Sequence, residues 1–271
     1  MNRREFYSEN GYVIEEQLFS PDEVILLREH FTKLREQGPC PLDDGGPDFS
    51  SPDPLKRYPR LMHMHRWDDT SLKWLLDERL NNILTELLEE APLAVQTMLY
   101  FKPPGARGQA LHQDQFYLRA KPGTCIAAWM ALEDSDEENG CMQVVPGSHL
   151  WPLLCVEKAD TTKSFTDIQV PLKPGTSSAP MIMKAGDVLF FHGMVVHGSF
   201  PNTSKARFRR ALIGHYITSQ SREVGRWYFP ILRMDGSVID LEEAPFGDKC
   251  GEWEGDSVRM KDGEPHEVLH E

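Results

Sequence analysis

The stretch Ala94-Val-Gln-Thr-Met-Leu-Tyr-Phe-Lys102 marks the change of the chain from helical to β character. Its β-branched and aromatic residues are typical of a strand, and five similar runs follow, at 124–132, 142–145, 168–172, 187–191 and 208–217. Gly and Pro residues separate the runs, as expected for turns. Helical patterns followed by many short strands predict a mostly β fold. We expect a double-stranded β-helix (jelly roll, cupin-like) with flanking helices packed on one sheet.

The chain before this stretch contains two helical patterns. The first begins with Ser20 as N-cap, Pro21 at the first helical position and Glu23 placed to complete a capping box. The second covers 70–90, where apolar residues recur at helical spacing. The stretch 39–59 between them is rich in Pro, Gly and Asp and predicts a long loop.

The composition favours one globular domain over 1–271, with a helical flank and loop (1–90), a jelly-roll core (92–218) and a C-terminal extension (219–271). The 40% hydrophobic residues suffice for a core. Asp and Glu outnumber Lys and Arg by 42 to 29, so the overall field repels phosphate backbones and anionic membrane surfaces. We therefore expect a small-molecule partner and neither nucleic acid nor membrane, while the oligomeric state stays open.

The five cysteines are odd in number, widely spaced and without a C-x-x-C pair. This pattern predicts reduced thiols. The charged start of the chain has no apolar stretch behind it, and nowhere do about 18 apolar residues run together. We therefore expect a cytoplasmic protein.

One short motif offers half of a metal site. In His112-Gln113-Asp114, an imidazole and a carboxylate two residues apart would point to the same side of a strand. A third ligand has two candidates, His192 and His197, in an apolar stretch further along the chain. Two histidines with one carboxylate are typical of non-haem Fe(II) oxygenases, whereas three histidines would suit zinc or a cupin-like site.

Several segments, taken in their order along the chain, resemble the phytanoyl-CoA dioxygenase family of Fe(II)/2-oxoglutarate-dependent oxygenases. The resemblance spans roughly 94–216. It rests on the segments Thr97-Met-Leu-Tyr-Phe-Lys-Pro-Pro104, Leu111-His-Gln-Asp114, Ala128-Trp-Met-Ala-Leu132, Asn139-Gly-Cys141, Val145-Pro-Gly-Ser-His149 and Gly186-Asp187 through His197-Gly-Ser199.

By that resemblance, His112, Asp114 and His197 are the ligands of the iron. His192 then becomes a residue of the core or of the surroundings of the site. The resemblance implies no ligand role for His63, His65, His149, His215, His266 and His270.

The co-substrate 2-oxoglutarate needs a cation for its distal carboxylate, and arginine suits this because its planar fork binds carboxylates bidentately. The resemblance selects Arg209, and strand alternation leaves Arg207 as a second possibility. Ser199, two residues beyond the distal histidine, is expected to donate to the same carboxylate. Met98 and Trp129 match family positions that contact the co-substrate, and Gln113 and Tyr117 are expected to line the substrate side.

The resemblance implies a dioxygenase of the 2-oxoglutarate-dependent class that uses Fe(II), 2-oxoglutarate and O2. Such an enzyme releases succinate and CO2 and most often hydroxylates an aliphatic carbon. Two other functions remain open for this fold: a non-enzymatic cupin-like metal- or ligand-binding module, and an O2-independent metal-dependent isomerase. A buried arginine beside the distal histidine favours the dioxygenase.

Overall fold

A computed structural model describes residues 2–43 and 46–262 of the chain. The helices in these residues are α1 (Arg3–Asn10), α2 (Pro21–Glu36), α3 (Pro54–Arg57), α4 (Asp69–Leu75), α5 (Glu78–Leu88) and α6 (Gln115–Leu118), with short 3-10 turns at Met64–Arg66, Ser148–Leu150 and Arg226–Tyr228.

The strands within the described residues are β1 (Tyr12–Glu15), β2 (Leu61–Met62), β3 (Pro92–Lys102), β4 (Gln109–His112), β5 (Cys125–Ala131), β6 (Met142–Val144), β7 (Glu157–Lys158), β8 (Ile168–Gln169), β9 (Ala179–Met181), β10 (Val188–His192), β11 (His197–Ser199), β12 (Arg209–Thr218), β13 (Glu223–Val224), β14 (Ile231–Arg233), β15 (Val238–Ile239), β16 (Glu242–Glu243), β17 (Cys250–Glu254) and β18 (Ser257–Lys261).

Two antiparallel sheets form the jelly roll, and they do not close into a barrel. The major sheet has the order β1-β10-β5-β12-β3-β14-β15, with β2 paired to β3, and the minor sheet has the order β4-β11-β6-β9. The predicted fold class is therefore confirmed. The major sheet also takes strands from outside 92–218, because β1 pairs with β10 and β14 pairs with β3.

The major sheet is buried on both faces, and strand β5 illustrates why. Ile126 and Met130 belong to a cluster that packs against the helices, whereas Ala127 and Trp129 belong to a second cluster between the sheets. Alternation along a strand sends successive side chains to opposite faces, so a strand between two layers is apolar throughout. The helices thus cover one face of the major sheet, as predicted, and leave its other face for the site.

The predicted helix α2 is confirmed, and the other helices differ from the predictions. Ser20 caps α2 through the expected capping box with Glu23. The predicted helix over 70–90 is two helices, because Asp77 accepts a hydrogen bond from the Arg79 amide and caps a new helix there. Helix α1 is not anticipated from sequence, although Asn2 and Glu5 form a capping box of the same kind.

The sequence places Arg35 on the polar face of α2, where solvent contact is expected, but the structure buries it completely. Its guanidinium pairs with Asp43 and donates to the carbonyl oxygen of Gly38 at 2.8 Å. This buried charge therefore fastens the start of the long 39–59 loop to the end of α2.

Arg35→Met is expected to lower the free energy of unfolding by about 3 kcal/mol, because it leaves the Asp43 carboxylate buried without its cation. Urea denaturation followed by circular dichroism measures the loss. Lys33→Met, at an exposed position of the same helix, is the matched control and should change stability by about 0.5 kcal/mol or less. Equal effects of the two substitutions would contradict a buried ion pair.

The prediction of five reduced thiols is wrong for one pair, since Cys155 and Cys250 form a disulfide. Cys40, Cys125 and Cys141 are free. The disulfide joins strand β17 of the C-terminal extension to the segment between β6 and β7, over a separation of 95 residues. Sequence spacing does not reveal contacts of this range. The cytoplasmic prediction loses the support that it drew from the thiols and stays a prediction.

No helix among residues 2–43 and 46–262 is both long and apolar enough to cross a membrane.

Alkylation of the denatured protein without reductant should label three cysteines, and prior reduction should raise this number to five. Intact mass spectrometry counts the labels. In Cys155→Ser, Cys250 loses its partner, so the unreduced protein should carry four labels although it has one cysteine fewer. Five labels on the unreduced wild type would contradict the disulfide.

Candidate metal centre

The two central histidines of the site face each other across paired strands of the minor sheet. His112 ends β4 and His197 begins β11, and the antiparallel register sets them directly opposite. Their ring centroids lie 4.2 Å apart, and both side chains are buried. Gly198 makes this close pairing possible, because a Cβ atom there would lie 2.7 Å from the carbonyl oxygen of Gln109.

Asp114 reaches the histidines by a different route from the one predicted. Strand β4 ends at His112, and Asp114 has helical backbone angles and precedes α6, so strand alternation does not orient its carboxylate. Its Oδ1 lies 3.5 Å from Nε2 of His112 and 3.6 Å from Nε2 of His197. Donor atoms that share one ion at about 2.1 Å lie at most about 4.2 Å apart, so both distances permit a shared ion.

Backbone contacts fix which nitrogen each imidazole presents to the site. Nδ1 of His112 is 2.9 Å from the carbonyl oxygen of Ala110, and Nδ1 of His197 is 2.9 Å from that of Val195. Each Nδ1–H donates to its carbonyl, which leaves the lone pair on Nε2, as metal-bound histidines require. The side-chain nitrogen Nε2 of Gln109 lies 3.2 Å from Nε2 of His112. A bound ion would displace this side chain.

Burial, together with the neighbouring His112, lowers the pKa of His197 to about 4, so this imidazole is neutral at neutral pH. Burial alone would raise the pKa of Asp114. The neighbouring side chains of His197, His215 and His112 outweigh burial and hold that pKa well below its usual range. Two imidazoles and one carboxylate form the donor set that Fe(II) takes in non-haem oxygenases.

His215 is a member of the site that the sequence did not reveal. It lies on β12, is 2% exposed, and its Nε2 stands 3.0 Å from Oδ2 of Asp114. Oδ1 of the carboxylate thus lies on the side of the two histidines, and Oδ2 accepts a hydrogen bond from His215. The inward alternation of Arg209 and Ile213 continues to His215 and would have indicated its direction.

A cavity of about 540 Å³ opens between the sheets and contains the three candidate ligands. Arg209 lines it, is 2% exposed, and stands with its guanidinium carbon 5.3 Å from the ring centre of Trp129. Arg207, the second possibility, does not line the cavity and pairs with Asp136 and Glu138 at the surface. The structure therefore brings Arg209 and not Arg207 into the cavity of the candidate ligands.

Most of the other predicted site residues also line this cavity. They are Ser199, Met98, Trp129 and Tyr117. The ring of Tyr117, on α6, lies 6.0 Å from the ring of His112.

Gln113 does not lie where the sequence placed it. Its side chain is fully buried outside the cavity and donates to the carbonyl oxygens of Pro152 and Met194. Its own oxygen accepts from the amide of Leu154 at 2.8 Å. The hydrogen bonds of Gln113 thus stabilise the turn between the candidate ligands His112 and Asp114, and its side chain does not line the cavity.

The remaining histidines lie apart from the three candidate ligands. The ring of His192 packs on His149 at 5.5 Å and accepts from the Met194 amide. His65 forms a hydrogen bond with Thr97, and His63 lines the cavity but does not belong to the cluster of candidate ligands. The predicted non-ligands His266 and His270 lie outside the described residues.

His215→Ala should weaken divalent metal binding by roughly 10- to 100-fold, because it removes the hydrogen bond that orients the Asp114 carboxylate. Anaerobic titration with Fe(II) or Co(II) measures the affinity. His149→Ala is the matched control and should bind metal normally, whereas Asp114→Ala should not bind it at all. Normal affinity in His215→Ala would show that the carboxylate is held by other contacts.

Comparison with known proteins agrees with this arrangement. The family model of phytanoyl-CoA dioxygenase matches residues 7–211. Phytanoyl-CoA dioxygenase 1 of Oryza sativa subsp. japonica is 32% identical over 161 residues, which cover 59% of this chain and 57% of the relative. The peroxisomal phytanoyl-CoA dioxygenase of Rattus norvegicus is 25% identical over 261 residues, covering 91% of this chain and 77% of the relative.

Solved structures show the same fold at lower identity. The epimerase SnoN, in complex with Fe3+, alpha ketoglutarate and nogalamycin RO, has a TM-score of 0.64 and 20% identity, and the match covers 95% of this chain and 96% of that one. EvdO2 from Micromonospora carbonacea var. aurantiaca, complexed with 2-oxoglutarate, has a TM-score of 0.62 and 22% identity. The match covers 80% of this chain and 90% of that one. On the match of its family model, the chain belongs to the phytanoyl-CoA dioxygenase family.

Proposed function

We propose that this protein is an Fe(II)- and 2-oxoglutarate-dependent dioxygenase that hydroxylates an aliphatic carbon of a small molecule and releases succinate and CO2. The observation that carries the proposal is one cavity lined by His112, Asp114, His197 and Arg209 together. A donor set with open metal positions and a cation in the same cavity match the two ends of 2-oxoglutarate.

The state of Arg209 supports the anionic co-substrate. Its Nη1 is buried and has no hydrogen-bond partner among the described residues, while its Nε donates to the carbonyl oxygen of Gly140 at 3.2 Å. Burial lowers the pKa of Arg209 to about 10, so the guanidinium remains charged at neutral pH. A buried charged group with an unused donor costs free energy unless a ligand satisfies it, and a carboxylate does so best.

Different side chains of the cavity would bind the metal ion and the co-substrate. When bound, iron supplies the O2 chemistry that couples oxidative decarboxylation of 2-oxoglutarate to oxidation of substrate. His112, Asp114 and His197 would hold the ion, and Arg209 and Ser199 would hold the distal carboxylate. Because these groups fix both ends of the co-substrate, it would be held in one orientation relative to the substrate space.

Asp114 also bears on the type of oxidation. Related halogenases lack this carboxylate and use the vacant metal position for halide, so its presence here favours hydroxylation over halogenation.

The cavity favours a small substrate over a coenzyme A ester. Its volume of about 540 Å³ lies within the usual range of small-molecule sites. Among the described residues, its lining contains two arginines, Arg60 and Arg209, and the second is assigned to the co-substrate. Coenzyme A carries several phosphate charges that a denser basic cluster would have to match. We therefore propose a small polar metabolite or a specialised natural product as substrate.

Anaerobic addition of 2-oxoglutarate to the Fe(II)-loaded protein should produce the visible charge-transfer band of the chelate. Arg209→Ala should weaken 2-oxoglutarate binding by roughly tenfold or more, because it removes a charge-assisted hydrogen bond. Arg207→Ala is the matched control, since it removes the neighbouring surface arginine, and it should leave the affinity unchanged.

Three other outcomes would change the assignment. A loss confined to Arg207→Ala would assign the distal carboxylate of the co-substrate to Arg207 instead of Arg209. No band from folded, iron-loaded protein would favour the cupin-like binding module. Turnover of a substrate without O2 would favour the isomerase.

A further inference from the structure

A second buried cation lies directly behind the cavity. Lys102 ends β3, is 2% exposed, and stands opposite Arg209 in the register of β3 and β12. Its ammonium contacts three neutral acceptors: the hydroxyl of Ser199 at 2.7 Å, the carbonyl oxygen of Phe200 at 2.6 Å and that of Gly140 at 3.4 Å. Three acceptors match the three N–H groups of a charged lysine.

Gly140 connects the two cations. Its carbonyl oxygen accepts from Nζ of Lys102 and from Nε of Arg209. A Cβ atom at this position would lie 2.8 Å from Cδ of Lys102 and 2.6 Å from the carbonyl oxygen of Phe200, and the backbone has a positive φ of 81°. Glycine at position 140 therefore allows the lysine chain to pass behind the site.

The contacts of Ser199 leave its hydroxyl able to act only as a hydrogen-bond donor toward the cavity. Its oxygen accepts from Nζ of Lys102 and from the backbone amide of Gln109 at 3.2 Å. A hydroxyl has two acceptor positions and one donor hydrogen, so both acceptor positions are filled. In the described part of the chain its hydrogen meets no protein acceptor, and Ser199 lines the cavity. The hydroxyl is thus set to donate to a ligand.

The charges around this position are unbalanced. Neither Lys102 nor Arg209 forms an ion pair within residues 2–43 and 46–262, and nearby Glu133 is paired with Arg210. Burial, followed by repulsion from Arg209, lowers the pKa of Lys102 well below its usual value. Because burial disfavours both charges and no acid within the described residues pairs with them, an anion in the cavity would stabilise the charged form of both side chains.

We propose that Lys102 is a positioning residue for the anionic end of the co-substrate: it fixes the Ser199 hydroxyl as a donor and adds a second positive charge to that of Arg209. This proposal rests on the proposed function and deepens it. Lys102 itself does not line the cavity, so it acts through Ser199 and through its electric field.

The test compares two ligands in anaerobic Fe(II)-loaded protein by the charge-transfer band. 2-Oxoglutarate has a distal carboxylate, whereas 2-oxobutyrate chelates through the same 2-oxo acid end and lacks that carboxylate. Lys102→Met should weaken binding of 2-oxoglutarate by roughly tenfold or more and leave that of 2-oxobutyrate unchanged. Lys102→Gln keeps a donor for Ser199 without the charge and should fall between Lys102→Met and wild type.

Ser199→Ala should show the same selective loss. Because Lys102 acts partly through this hydroxyl, the double variant with Lys102→Met should lose less than the product of the two single losses. A merely structural lysine would alter both ligands equally, because a disturbed fold affects the metal end as well.

Each contrary outcome has a distinct meaning. Unchanged 2-oxoglutarate affinity in folded Lys102→Met, or equal losses for both ligands, would overturn the proposal while leaving the proposed function intact. If neither Lys102 variant folds, unchanged affinity in Ser199→Ala overturns it instead. No band in the wild type would overturn the proposed function and this proposal with it.

Discussion

The pairing of β4 with β11 is the constraint on which the site depends. It places His112 opposite His197 in the narrow space between the sheets, and the carbonyl contacts of their Nδ1 atoms then turn both Nε2 atoms toward Asp114. The cost of burying these polar groups is offset because each has a partner. The major sheet, covered by helices on its other face, closes the cavity from behind. A shift of one residue in this register would send one imidazole to the opposite face of the minor sheet.

The cavity lining contains groups of opposite charge. Asp114 lies among His112, His197 and His215, where a cation completes the arrangement. Arg209 lies with Lys102 behind it, where an anion does so. A ligand that chelates a metal through one end and carries a carboxylate at the other satisfies both groups at once. The arrangement thus favours a linear 2-oxo diacid over a neutral ligand of similar size.

Sequence patterns predicted what depends on local structure. The cap of α2, the six β runs and the inward alternation of Arg209 follow from periodicity and propensity, and the resemblance supplied the ligand set. The failures at His215 and at the disulfide depend on contacts between distant residues. His215 bonds to Asp114 across 101 residues and Cys155 joins Cys250 across 95. The approach of Asp114 was missed for another reason: a helix of four residues carries too weak a signal to interrupt an apparent strand.

The C-terminal extension carries no recognised motif, yet its contacts lead to the metal centre. Strand β17 bonds to the chain at Leu153 and Cys155 through the backbone of Gly251, and the disulfide joins the same two segments. The neighbouring residues Pro152 and Leu154 hold Gln113, which stands between His112 and Asp114. The turn that brings the carboxylate to the histidines is therefore held from outside the jelly roll. Positions far from the cavity can influence metal geometry by this route, because the contacts are continuous.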